Sequence, residues 1–137
     1  MSHDIAASGF LRTCIDNRFV AESRTVFENE THLASDAYFH ESYPGGAARD
    51  PSPVSNDPTT GNNVYADEYA AANGARVFGW QAHLNKCGGL PNATDAQIIQ
   101  ALNAHIDAMV EKYPPPTYQH YRIIASESGV LIEPVKS

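Results

Sequence analysis

Glu28, His32, Asp36 and His40 stand four residues apart within FENETHLASDAYFHES, residues 27–42. Two histidines and a carboxylate are donors that suit Zn²⁺ or Fe²⁺, so His32, Asp36 and His40 form a candidate metal site. The spacing implies a helix, because residues four apart share one helical face. A straight row of that kind spreads its ends about 12 Å along the axis. Two adjacent members at most can share an ion, and further ligands must come from elsewhere. The opposite face, with Val26, Phe27, Leu33, Ala34, Ala37 and Tyr38, is apolar. The same row therefore also reads as the solvated side of an amphipathic helix, and on that reading the chain needs no cofactor.

His83 and Cys87 repeat the four-residue spacing just before Gly88-Gly89. As the last turn of a helix they would sit at the negative end of its dipole, where a thiolate is disfavoured. Cys14, between Thr13 and Ile15, has no activating neighbour in the sequence. Both cysteines are expected to be free, buried and inert thiols. Trp80, Tyr118 and His120 form a candidate ligand-binding group, since small-molecule pockets are mostly apolar with a few polar atoms. Gly45-Gly46 and Gly88-Gly89 lack the Lys-Ser/Thr of a phosphate loop, and there is no Gly-x-Ser-x-Gly or His-Glu-x-x-His.

The elements that must position these residues read most clearly in the C-terminal half. Val64 to Lys86 carries Ala66, Tyr69, Asn73, Val77, Trp80 and Leu84 at spacings of three and four, which predicts a helix ending at Gly88-Gly89. Thr94-Asp95-Ala96-Gln97 is a capping box. It opens a second helix to Tyr113, with Ile98, Leu102, Ile106 and Met109 on its apolar face. Residues 118–125 and 130–135 read as two strands around the turn Ser126–Gly129. Phe10–Ile15 and Phe19–Ala21 fit a hairpin around Asp16-Asn17-Arg18 slightly better than a helix. The fold expected is α+β, a helical hairpin packed on a small antiparallel β-sheet, in one domain spanning residues 1–137. Ser42–Asn63 holds four of the nine prolines and three of the nine glycines and predicts a long loop.

Bulk properties narrow the function. A net charge of −7 with scattered Lys and Arg argues against nucleic-acid binding through a basic patch. No run of 18 apolar residues suggests a membrane span. The first residues do not read as a signal peptide, which favours a cytoplasmic or particle-associated protein. With no concentrated chemistry, the leading expectation is a non-enzymatic structural or interaction subunit. It would be a homo-oligomer or bind a partner protein, as in phage particles, and the 42–63 loop would dock through Tyr43 and Val54. One alternative is a small enzyme or binding domain with a pocket between hairpin and sheet. The other is a metalloprotein using His32, Asp36 and His40.

Overall fold

The computed structural model describes residues 8–48, 56–57, 62–63 and 66–135. Strand β1 (Gly9–Cys14) leads through helix α1 (Val20–Thr31) to β2 (Tyr38–Tyr43) and a 3₁₀ turn at Gly46–Ala48. Two short strands, β3 (Asn56–Asp57) and β4 (Asn62–Asn63), pair with each other. Helix α2 (Ala66–Ala72), strand β5 (Val77–His83), helix α3 (Asp95–Lys112) and strands β6 (Gln119–Ser126) and β7 (Gly129–Pro134) follow.

Five strands form one sheet in the order β2-β1-β5-β6-β7. All neighbours are parallel except β6 and β7. Phe27 of α1 packs with Leu11, Tyr38 and Ile123 on one face. On the other face, Ala70 of α2 and Ile98, Leu102 and Ile106 of α3 pack with Phe10, Phe78 and Trp80. This three-layer arrangement corrects the expected helical hairpin on a small antiparallel sheet. The supposed helix from Val64 to Lys86 contains a break: α2 stops at Ala72, Gly74 takes φ 104°, and Val77–His83 is a central strand. All but the first residue of β5 are buried. A strand covered on both sides shows no alternation, and its apolar residues matched a helical stripe by accident.

Other expectations stand. The capping box forms between Thr94 and Gln97, and Ile98, Leu102 and Ile106 are buried. The antiparallel pair β6 and β7 forms around the turn foreseen. Near the N-terminus the first strand forms, but the second is the start of α1. Much of the Ser42–Asn63 run, including Val54, lies outside the described residues, as does the side chain of Tyr43. Among the described residues no helix is long and apolar enough to cross a membrane.

Candidate metal centre

Strand β1 connects to β2 on one side of the sheet, while β5 connects to β6 on the other. The point where connections diverge leaves a crevice at the carboxyl ends of the strands, where open α/β sheets bind ligands. Main-chain pairing between β1 and β5 ends at Arg12 and Trp80. Cys14 closes β1 and His83 closes β5 at this crevice. Cys87 arrives from the following loop, whose Asn85 and Lys86 both take positive φ, 62° and 67°.

The ligand-type atoms of Cys14, His83 and Cys87 lie within 4.8 Å of one another, and all three residues are buried. The two sulfurs are 4.0 Å apart. His83 Nδ1 is 2.8 Å from the Leu84 carbonyl. A carbonyl only accepts, so Nδ1 carries the hydrogen and Nε2 is left with a free lone pair. That Nε2 is buried without a hydrogen-bond partner. Burial favours the neutral form of both groups, yet His83 and Cys14 act on each other as a pair. The nearby His83 imidazole and the Asp16 and Gly45 amides together outweigh burial at Cys14 and bring its thiol down to about 7. Against burial, Cys14 raises His83. Burial and the charge of Cys14 push Cys87 up.

Asp16 and Arg18 border this cluster. Arg18 Nε and Nη2 donate to both Asp16 oxygens at 2.8–3.1 Å, and its main-chain N–H adds a bond of 2.9 Å. These bonds, the Arg18 side chain first, hold the Asp16 carboxyl down at about 2. Asp16 Oδ2 is 3.5 Å from His83 Nε2. A cavity of about 570 Å³ opens here, lined by Cys14, Ile15, Asp16, Asn17, Pro44, Gly88 and Gly89.

The first candidate site is not assembled. Helix α1 ends at Thr31, and His32 follows in a left-handed conformation with φ 59°. Asp36 lies in the turn before β2, and His40 lies in β2 with Nε2 2.8 Å from the Thr13 hydroxyl. Trp80 and His120 are 0% and 3% exposed. The Trp80 indole N–H donates to His120 Nδ1, and His120 Nε2 donates to the Tyr113 carbonyl. Tyr118 and His120 border a separate cavity of about 240 Å³.

Sequence reasoning missed the pattern Cys14-x-Asp16-x-Arg18. It also placed His83 and Cys87 on a helix, so the dipole penalty assigned to Cys87 does not apply. The expectation of no cofactor is corrected: three converging donors, one an imidazole nitrogen with no hydrogen bond, fit a bound metal ion. No protein-family model matches the sequence, and no curated protein does. Among solved structures, the chain is similar in fold to the carbonic anhydrase from Streptococcus mutans. The TM-score is 0.54 at 16% sequence identity, over 99% of this chain and 87% of that chain.

Proposed function

We propose that this chain is a zinc enzyme that adds water to a small carbonyl-type substrate, with hydration of carbon dioxide the reaction to test first. The observation that carries this reading is His83 Nε2, buried beside two thiols with no hydrogen bond while Nδ1 is engaged by a carbonyl. Leaving such an atom unpaired costs about 1–3 kcal/mol. Two cysteines and a histidine are a donor set that zinc takes in catalytic sites, with the fourth position open. Cys14, His83 and Cys87 would hold the ion. When bound, zinc supplies Lewis acidity that makes water acidic enough to act as a nucleophile near neutral pH.

The remaining groups act through position. Arg18 keeps Asp16 ionised and fixed, so Asp16 accepts hydrogen bonds and can orient a proton donor at the cavity floor. Ile15, Pro44 and the Gly88-Gly89 main chain give that cavity a largely apolar wall, suited to a small, weakly polar substrate. The likeness in fold to a carbonic anhydrase supports carbon dioxide as first choice. A second reading has one observation in its favour. Asp16 Oδ2, at 3.5 Å from His83 Nε2, is near enough to become a fourth ligand after a small shift, which would make the zinc structural.

Native mass spectrometry with metal analysis, and stopped-flow hydration of carbon dioxide on the full chain, test both. About one zinc per chain is expected, lost in His83→Ala and Cys87→Ser, together with hydration above the uncatalysed rate. Failure to take up zinc sinks the metal reading. Stoichiometric zinc without turnover of carbon dioxide or simple esters supports the closed, structural site.

A further inference from the structure

We infer that Gln81 is a positioning residue of the metal site, holding the Cys14 main chain across the gap where β1 and β5 part. The inference rests on the zinc reading above. Pairing between the two strands stops at Arg12 and Trp80, whereas β5 continues to pair with β6 as far as His83 and Ala125. The Cys14 N–H therefore faces a gap, at a residue only 2% exposed. Gln81 Oε1 accepts that N–H at 2.8 Å.

The other end of the amide is also fixed. Gln81 Nε2 donates to Ser23 Oγ of α1 at 2.9 Å. A main-chain N–H only donates, so the atom facing Cys14 must be the oxygen, and the amide nitrogen is then held by the Ser23 hydroxyl. Gln81 and Ser23 are both 0% exposed. Gly46, at φ +53°, passes through the same gap. A Cβ there would lie 2.5 Å from the Gln81 carbonyl oxygen and 2.6 Å from Cys14 N. Packing alone does not call for an amide in this place, because a buried amide is costly unless bonded and a leucine or methionine would fill the volume. What the amide adds is a bond to the main chain of one ligand from a residue two positions before another. One rigid strand thus carries His83 and sets the position of Cys14.

The experiment measures zinc affinity by competition with a chromophoric chelator and records the absorption spectrum of the cobalt-loaded full chain. Gln81→Met keeps the length and loses the acceptor; Ser23→Ala frees the amide to turn. Partners behind metal ligands typically set affinity within 10–100-fold. Gln81→Met should weaken zinc by a factor in that range and shift the thiolate-to-cobalt bands. Ser23→Ala should move both readouts the same way by less. A residue needed only for folding would lower the stability of metal-free protein without altering the cobalt spectrum. Wild-type affinity and spectrum in Gln81→Met overturn the inference. If that variant does not fold, Ser23→Ala decides, and unchanged values there overturn it. A wild type that takes up neither metal overturns the zinc reading and this inference together, whereas normal wild-type uptake confines a failure to Gln81.

Discussion

At the scale of residues, the crevice gathers two thiols and an imidazole whose chemistry depends on what lies between them. Cys14 and Cys87 are each 2% exposed. Burial should slow their reaction with a thiol reagent, but burial in a loop is protection only while the loop stays closed. A bound ion would tie the Cys87 loop to both strands, since metal binding energy is also folding energy for its ligands. In zinc-loaded protein, both thiols are therefore expected to react with an aromatic disulfide reagent slowly. After a strong chelator is added, reaction should quicken by at least about tenfold, consistent with the loss of more than about 1.4 kcal/mol of local stability. Equal rates before and after chelation, with zinc release confirmed, would show that the sulfurs do not hold the ion. His83→Ala should make the thiols fast from the outset.

At the scale of elements, the loop after β5 is held by contact of main chain with main chain. A Cβ at Gly89 would overlap Pro44 and Gly45, whereas one at Gly88 meets nothing within 4 Å. Gly89→Ala must push the Cys87 loop away from the turn that follows β2. It is expected to cost about 1–3 kcal/mol, the usual range for overpacking, and to weaken zinc binding. Gly88→Ala should change neither by much. Chemical unfolding and chelator competition on the two variants check this, and equal behaviour would mean that the loop is not seated as described. The same elements explain what the sequence disclosed. Helix α3 was legible because Thr94 and Gln97 cap it and Ile98, Leu102 and Ile106 recur on one face. The hairpin of β6 and β7 was legible because its turn is local. Strand β5 was not, because burial on both faces erases its alternation, and α2 before it is rich in alanine. His83 and Cys87 are visible in the sequence as a spaced pair, but a third ligand 69 or more positions away, on a strand brought alongside only by the sheet, has no local signature. In the sequence, Asp16 and Arg18 fit a hairpin turn, because Asp-Asn is a common turn pair.

At the scale of the whole molecule, the layers are joined by a buried charge network centred on Arg12. Arg12 is 0% exposed and donates to Asp67 Oδ1 at 2.8 Å and to Glu41 Oε1 at 2.5 Å. Asp67 Oδ2 accepts from Tyr113 Oη at 2.7 Å and Lys112 Nζ at 3.0 Å. Strands β1 and β2 are thereby tied to α2 and to the end of α3. Removing one partner of a buried ion pair costs about 3–5 kcal/mol, because the other is left uncompensated. Asp67→Ala should lower stability by about that much in urea unfolding. A loss below about 0.5 kcal/mol, the behaviour of a surface site, would show that the network is not buried in solution.

The protonation of His40 links the sheet to pH. Burial first, and the positive charge of Arg24 second, bring its pKa down to about 4. In the unfolded chain the value is about 6.5. Between those values the unfolded state binds more protons, so stability rises with pH. The contribution is fully present above about pH 6.5 and is lost as pH falls through about 4. His120 is shifted the same way by burial. His83, whose pKa is raised, has the opposite sign in metal-free protein, with stability lost as pH rises. A profile of the wild type alone would mix these effects, and protonation of the ligands would add metal loss. The clean measurement compares metal-free wild type with metal-free His40→Gln, which removes this titration and keeps an amide near the Thr13 hydroxyl. Between pH 7.5 and 4.5 the wild type should lose about 1–2 kcal/mol more than the variant, after discounting for partial solvent screening. Parallel profiles would mean that His40 titrates normally and that β2 is more open to water at this position than the fold describes.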